Sequence, residues 1–156
     1  MTVRGRLAAL ALCLLAGACS PGLKGVDESA LQDAVSRVIG DPSTCVILVD
    51  QSGEALWRYG THMTCARELP ACGKPGETLT MADLAQRAAK GEEVAISCPS
   101  SPDGLRSVGW ASGPVQPSPK ASHPPLRFAA VMEGERALPG REIRARLDEA
   151  FSQAGL

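Results

Sequence analysis

The stretch Thr44–Tyr59, TCVILVDQSGEALWRY, indicates most directly how this chain folds. Its first part, Thr44–Asp50, is an almost unbroken run of apolar and β-branched residues, which is typical of a strand buried on both faces. The polar residues 51–54 follow as a turn signal, and Ala55–Tyr59 then has the composition of a partner strand. The stretch therefore predicts a β-hairpin whose first strand lies inside a sheet.

Three segments with helical periodicity surround and interrupt the predicted strands. The first helix follows Asp27 and ends at Gly40, and its apolar residues fall on one face: Leu31, Ala34, Val35, Val38 and Ile39. The second runs from about Met81 to Lys90, with Thr80 as its N-cap. The third begins near Pro139, and its apolar face comprises Ile143, Leu147, Ala150 and Phe151.

Three further strands are predicted in the second half of the chain, over Glu93–Cys98, Leu105–Ser112 and Leu126–Glu133. Residues 60–79 have no periodicity, so we expect a long loop there. The predicted order is α-β-β-α-β-β-β-α. Consecutive strands favour antiparallel pairing, so the expected fold is α+β: an antiparallel sheet of about five strands packed by N- and C-terminal helices.

Residues 113–125, GPVQPSPKASHPP, hold five prolines and predict a segment that cannot pair into the sheet. We expect it to project between the fourth and fifth strands in an extended conformation. One interpretation is a spacer that only turns the chain. The other is a preordered surface that binds an envelope protein partner.

The N-terminus has the layout of a secretory signal. Arg4 and Arg6 give a positive start, Leu7–Leu15 is apolar, and three small residues precede Cys19. The sequence Leu15-Ala16-Gly17-Ala18-Cys19 resembles the lipobox of bacterial lipoproteins. This resemblance implies cleavage before Cys19, diacylglycerol on its thiol and an acyl chain such as palmitate on the new α-amine.

The lipoprotein resemblance also implies a division of the chain and a location. Residues 1–18 would be the lipoprotein signal peptide, 19–26 a lipidated flexible tether, and 27–156 a single periplasmic α+β domain. Ser20 follows the cysteine where Asp would imply retention in the inner membrane. The expected location is therefore the cell envelope, anchored in the outer membrane and facing the periplasm.

Charge and composition exclude some partners. The 156 residues carry 16 Lys and Arg against 17 Asp and Glu. Loss of residues 1–18, which include two Arg and no acid, would leave 14 basic and 17 acidic side chains. This balance gives no electrostatic reason to expect nucleic acid as a partner. The only partners we expect are the membrane, through Cys19, and an envelope protein.

Four cysteines remain after the signal peptide and Cys19 are set aside: Cys45, Cys65, Cys72 and Cys98. An even number outside the cytoplasm predicts two disulfides. Our first expectation pairs Cys65 with Cys72, which lie in one loop, and Cys45 with Cys98. The alternative pairs Cys45 with Cys65 and Cys72 with Cys98.

No established catalytic motif is recognisable, so we predict no catalytic residues, no cofactor and no metal. The favoured function is a non-catalytic binding or accessory role. One alternative is a hydrolase that uses Ser100 or Ser101 with His62. Another is a thiol or metal protein that uses His62, Cys65 and Cys72. We expect His62 and His123 to be solvated loop residues. Trp57, Tyr59 and Trp110 could form an aromatic platform for a sugar ring, but in a chain with few aromatic residues we expect them to belong to the core.

Part of the mature chain resembles the α/β portion of the penicillin-recognising serine hydrolases. The resemblance lies in the element order and in four stretches, CVILVDQSGEALWRYG at 45–60, GLRSVGWASG at 104–113, LRFAAVMEGE at 126–135 and IRARLDEAF at 143–151. It implies a terminal helix pair packed on a five-stranded antiparallel sheet. The Ser-x-x-Lys, Ser-x-Asn and Lys-Thr-Gly motifs of that family have no counterpart here, so the resemblance implies the fold and not the activity. Profilin-like and PAS-like domains share much of the same element order.

Overall fold

The predicted hairpin is present in the computed structural model, which describes residues 22–119 and 121–156. Strand β1 (Thr44–Val49) is buried along its whole length and pairs antiparallel with β2 (Ala55–Tyr59). The turn between them is organised by the Asp50 carboxylate, which accepts hydrogen bonds from the backbone N–H groups of Ser52 and Glu54. The signal peptide predicted for residues 1–18 and the lipidation site at Cys19 lie outside the described residues.

Five strands form one antiparallel sheet, as predicted. The other three are β5 (Val94–Pro99), β6 (Ser107–Pro114) and β7 (Arg127–Gly134). Their spatial order is β2-β1-β7-β6-β5, so the last strand of the chain lies at the centre. Because β7 pairs with β1 on one side and with β6 on the other, the N-terminal hairpin and the C-terminal strands form a single sheet.

Helices cover both faces of this sheet. Helices α1 (Glu28–Ile39) and α4 (Gly140–Gln153) pack against each other on one face, as the predicted terminal pair. Helix α3 (Met81–Ala89) covers the other face and has Thr80 as its N-cap, as expected. The alternation of side chains along β1 and β7 therefore supplies two separate apolar cores, one beneath each helical layer.

Two glycines allow the N-terminus of α4 to approach the sheet closely. A Cβ atom at Gly140 would collide with the backbone oxygen of Trp110, and one at Gly109 would collide with the backbone oxygen of Leu138. Any side chain at either position would push α4 away from β6. The Phe128 ring of β7 and the Phe151 ring of α4 then meet with centroids 5.5 Å apart.

The loop predicted for residues 60–79 has more structure than expected. It contains the short helix α2 (His62–Cys65) and a small two-stranded sheet of β3 (Leu69–Pro70) and β4 (Thr78–Leu79). Helix α2 packs beside β1, and further along the segment the carbonyl of Pro70 accepts a 2.8 Å hydrogen bond from the Trp110 indole of β6. The segment therefore crosses the sheet face from β1 towards β5.

The structure confirms two disulfides and corrects their first expected pairing. Cys45 bonds to Cys65 and Cys72 bonds to Cys98, which is the alternative pairing. A Cys45–Cys98 bond is excluded by strand order, because β7 and β6 lie between β1 and β5. Three interstrand spacings amount to about 14 Å, whereas a disulfide needs Cα atoms within about 7 Å. Because residues 60–79 cross the sheet face, Cys65 lies beside Cys45 on β1 and Cys72 lies beside Cys98 on β5.

Residues 22–26, the described part of the predicted tether 19–26, do not form a flexible tether but pack against the domain. Leu23 is 5% exposed and belongs to the core under α1 and α4, against which Val26 also packs. The backbone N–H of Leu23 donates a 3.1 Å hydrogen bond to the Glu28 carboxylate. Among the described residues, core packing therefore reaches back to Leu23, four residues before the predicted boundary.

Strand β6 continues further into the proline-rich stretch than expected. Gly113 and Pro114 pair with Phe128 and Arg127, so the stretch 113–125 is not wholly outside the sheet. Proline is tolerated at Pro114 because β5 pairs with β6 only as far as Ser112, so among the described residues β6 is unpaired on one side at this position. Within residues 22–119 and 121–156, no helix combines the length and apolar character needed to cross a membrane.

Candidate functional site

The chain between β6 and β7, residues 115–126, forms the rim of the candidate site and is called the proline segment below. Its two ends are fixed in the core, because Val115 is 4% and Leu126 is 2% exposed. The N–H of Val115 donates a 3.0 Å hydrogen bond to the carbonyl of Leu126. Near its tip, the N–H of Ser118 donates to the carbonyl of Leu156 at 2.9 Å. The segment therefore forms a braced rim.

A groove of about 500 Å³ lies between the proline segment and the C-terminal end of α3. One wall is formed by Ala89–Gly91, and the other by residues 114–117 and 123–127. Gln51, in the turn after β1, closes one end. The residues lining the groove include three with nitrogen bases or cations, Lys90, His123 and Arg127, and no acid. This volume falls in the range of pockets that bind small molecules.

Arg127 and His123 each place polar nitrogen atoms out of contact with solvent. The Nε and Nη2 atoms of Arg127 and the Nε2 atom of His123 are buried without a hydrogen-bond partner among the described residues. The other imidazole nitrogen, Nδ1, lies 2.8 Å from the carbonyl oxygen of Pro124. A buried unsatisfied group costs about 1–3 kcal/mol. His123 lies in a loop as predicted and is partly exposed, but its Nε2 atom is out of contact with solvent.

A second groove, of about 470 Å³, lies on the other side of the proline segment. It shares Gln51 and residues 123–126 with the first groove, and its far wall is formed by Gly22, Leu23 and Lys24. The two grooves therefore lie at the end of the domain where the described chain begins.

A separate cluster surrounds Glu133 at the end of β7. Its carboxylate is buried and accepts hydrogen bonds from the Arg106 guanidinium at 3.0 and 2.8 Å, from Arg67 at 2.7 Å and from the Ser100 hydroxyl at 2.7 Å. The Arg106 hydrogen bond is the largest cause that lowers the pKa of Glu133 to about 2. This carboxylate is consequently ionised and fully occupied at neutral pH, so it cannot serve as a general base there.

The residues of the hydrolase alternative are not brought together as a catalytic set. Ser100 donates its hydroxyl proton to Glu133, and Ser101 donates its own to the Asp103 carboxylate. His62 is exposed on α2, as predicted, and makes no hydrogen bond to either serine within the described part of the chain. Neither Ser100 nor Ser101 is therefore activated by His62, as a serine hydrolase would require.

The metal and thiol alternative is also corrected. Cys65 and Cys72 belong to different disulfides, so neither sulfur is free to act as a thiolate ligand. Among residues 22–119 and 121–156, no group of three or more His, Cys, Asp or Glu side chains is placed to hold a metal ion. His62, Cys65 and Cys72 do not form one site.

Two of the three residues of the possible aromatic platform, Trp57 and Trp110, belong to the core as predicted, and the partly buried Tyr59 packs against it. Trp57 is buried in the core beneath α1 and α4, whereas Trp110 is buried in the core beneath α3. The two indoles therefore lie on opposite faces of the sheet and form no common binding surface.

Sequence reasoning did not single out Arg127, Lys90 or Glu133. A signal for two of them was present, because Arg127 and Glu133 bracket the apolar run 128–132 of the central strand. Where the fold buries a charged group at the end of such a strand, that group needs a local partner or a ligand. The contribution of Lys90 depends on how α3 lies against the proline segment, which no local pattern reports.

The fold and the two grooves define the class: a small disulfide-stapled α+β domain with a cationic groove at one end of its sheet. Compared with known proteins, the chain matches no family model, and no curated protein or solved structure matches it significantly.

Proposed function

We propose that this chain is a lipid-anchored cell-envelope protein whose disulfide-stapled domain has a non-catalytic binding or accessory role. The observation that carries the proposal is the sequence Leu15–Cys19, in which small residues lead directly to a cysteine after a charged and apolar leader. The two disulfides among the remaining cysteines support it, because such bonds persist in oxidising compartments such as the periplasm.

The start of the packed domain sets how closely an anchor would hold it. Three peptide units separate Cys19 from Gly22 and span at most about 11 Å. Because Leu23 is already buried in the core, the domain has almost no free tether. With lipid on Cys19, the end of the domain that contains both grooves would face the membrane surface. Two or three acyl chains, at about 0.8 kcal/mol for each buried CH₂ group, would make this attachment effectively permanent.

A binding role accounts better for the side-chain arrangement than a catalytic one. The most buried carboxylate, Glu133, is held by two arginines and a serine, and its low pKa leaves it without a proton to exchange near neutral pH. The groove beside the proline segment instead offers polar nitrogens that have no hydrogen-bond partner among the described residues. An envelope protein or a small solute are the kinds of partner that such an accessory domain would bind.

Fractionation of cells that produce the wild-type protein and two cysteine variants tests the anchor. We expect the wild-type protein in the outer-membrane fraction and Cys19→Ser either unprocessed or released from that fraction. Cys13→Ser is the matched control, because Cys13 lies in the predicted signal peptide and its loss should change nothing. A Cys19→Ser protein that is processed and membrane-bound like the wild type would refute the anchor.

A further inference from the structure

We propose that the groove between α3 and the proline segment binds a small molecule through an oxyanion, a carboxylate or a phosphate. Its three nitrogen-bearing side chains, Lys90, His123 and Arg127, lie around one cavity whose lining contains no acid. The proposal gives the binding role proposed above a site and a ligand class. It rests on that role and is independent of the anchor at Cys19.

Arg127 is the main recognition group. Two of its guanidinium nitrogens, Nε and Nη2, have no hydrogen-bond partner among the described residues. These two N–H groups point to the same side of the planar guanidinium and match the two oxygens of a carboxylate or phosphate. An oxyanion would satisfy both at once.

No neighbouring carboxylate supplies that oxyanion from within the protein. Glu93 is near enough to Arg127 for their charges to interact, but it is hydrogen-bonded to Arg144 at 2.6 Å. That hydrogen bond is the largest cause that lowers the pKa of Glu93. The Glu93 carboxylate is therefore already paired with another arginine.

The proline segment must shift slightly for a ligand to reach the buried N–H groups. Between residues 116 and 125, the described backbone hydrogen bonds are those donated by Ser118 to Leu156 and by Ala121 to Ser118. Residues 123–125, which cover the groove beside Arg127, make none of them. This part of the rim can move while Val115 and Leu126 remain fixed in the core.

The rest of the lining specifies the remainder of the ligand. Proline rings at 114, 117, 124 and 125, with Val115 and Leu126, surround the cationic groups. A ligand that fills the groove therefore has an apolar part beside its oxyanion. A free metabolite and a phospholipid headgroup both have this chemistry.

A purely structural role for Arg127 gives a different expectation. Its cation lies near the C-terminal end of α3, where positive charge stabilises a helix. If that were its whole role, loss of the charge would lower stability without affecting any ligand. Binding and stability must therefore be measured on the same variants.

The test uses the mature protein in an uncharged detergent and follows NMR signals during titration with inorganic phosphate and, separately, benzoate. We expect saturable shifts of the Arg127 side-chain N–H and of the amides of residues 89–91 and 123–127. Arg127→Gln should weaken binding at least about tenfold, the effect of losing one charge-assisted hydrogen bond. Lys90→Gln, at an exposed position, should weaken it about two- to fivefold.

Arg141→Gln is the matched control, because this exposed arginine of α4 lies outside the groove, and its binding should equal that of the wild type. If Arg127→Gln fails to fold, Lys90→Gln and the shift pattern decide the question. The absence of saturable shifts up to about 10 mM of both anions, or equal binding by Lys90→Gln, Arg127→Gln and the control, would overturn the proposal.

Lipid nanodiscs distinguish the two possible sources of the oxyanion, a free metabolite and a phospholipid headgroup. Nanodiscs of phosphatidylglycerol that shift the same groove signals, while phosphatidylcholine discs do not, would assign the site to an anionic headgroup. Shifts by the soluble anions alone would assign it to a free solute. Both results support an oxyanion site, and neither depends on whether Cys19 carries lipid.

Discussion

At the scale of single residues, Glu133 is the buried carboxylate on which the main ion-pair cluster of the domain depends. Its side chain is 3% exposed, whereas those of Arg67 and Arg106, which contact it, are 40% and 46% exposed. Arg67 follows α2, whereas Ser100 and Arg106 lie at the two ends of the connection between β5 and β6, so the carboxylate ties these two segments to the end of β7. A buried carboxylate with several charge-assisted hydrogen bonds contributes more than a surface ion pair.

Replacement of this carboxylate tests its contribution. We predict that Glu133→Gln lowers the free energy of unfolding by about 2–3 kcal/mol at pH 7, because charge-assisted hydrogen bonds are lost inside the protein. Chemical denaturation measures this change. Glu142→Gln is a control, since the exposed pair of Glu142 with Arg146 should contribute about 0.3–0.5 kcal/mol. Equal effects of the two substitutions would contradict the assigned importance of Glu133.

The depressed pKa of Glu133 also predicts how its contribution depends on pH. Hydrogen bonds from Arg106 and others lower this pKa from 4.5 to about 2. The stabilisation is therefore fully present above about pH 4.5 and is lost as the pH falls towards 2. The difference in unfolding free energy between wild type and Glu133→Gln should shrink over that interval. A difference that stays constant from pH 7 to pH 2 would contradict the ionised, hydrogen-bonded state.

At the scale of elements, the two disulfides differ in accessibility. Cys45 and Cys65 are 0% and 8% exposed and lie in the core beneath α3, whereas Cys72 and Cys98 are both partly exposed. We predict that a mild reductant opens Cys72–Cys98 first, because thiolate attack requires access to the sulfur. Alkylation followed by peptide mapping measures the order. Earlier labelling of Cys45 and Cys65 would contradict it, as would a non-reducing map with a Cys65–Cys72 peptide.

The proline segment should contribute to stability through its ends and not through its middle. We predict that replacing residues 116–124 with a short Gly/Ser turn lowers the free energy of unfolding by no more than about 1–2 kcal/mol, because few hydrogen bonds are lost. Leu126→Ala should cost about 2–4 kcal/mol, because it removes buried apolar volume. Thermal and chemical denaturation test both variants. If the turn variant fails to fold, the middle of the segment belongs to the core.

The five strands of the main sheet and helices α1, α3 and α4 could be predicted from sequence because their signals are local, whereas α2, β3 and β4 were missed. The apolar run of β1, the capping Thr80 of α3 and the apolar face of α4 each identify their element within a few residues. The disulfide pairing could not be predicted in the same way. It depends on the order of strands in the sheet and on the path of residues 60–79 across it, and both are set by contacts between distant segments.

The candidate site was only partly predictable for the same reason. The prolines marked residues 113–125 as an unusual surface segment, and that segment does form the rim of the groove. The groove itself also requires the C-terminal end of α3 and the first residue of β7. Lys90 and Arg127 are 37 positions apart in sequence, and only the packing of α3 on the sheet places both on one cavity.

At the scale of the whole molecule, the sheet separates two cores of different character. The core beneath α1 and α4 contains the large apolar side chains of both helices and includes Leu23 and Leu156. The core beneath α3 includes the Cys45–Cys65 disulfide and is covered in part by the crossing segment 60–79. Leu23 and Leu156, at the two ends of the described chain, are both buried in the first core. The proposed anchor would therefore lie near the point where the two ends meet.

The position of Gly22–Lys24 relates the proposed anchor to the two grooves. Gly22–Lys24 line one groove, and that groove shares its wall with the cationic groove. An acylated Cys19 three residues before Gly22 would place both grooves near the membrane. The central claim is therefore that the mature chain begins with a lipidated cysteine directly before the folded domain.

Mass spectrometry of the N-terminal peptide, prepared from protein extracted from membranes, tests this claim most directly. The account predicts a peptide that begins at Cys19 and carries diacylglycerol on the thiol, with a further acyl chain on the α-amine. A mature protein whose N-terminal peptide carries an unmodified Cys19, or that begins at a residue other than Cys19, would contradict it.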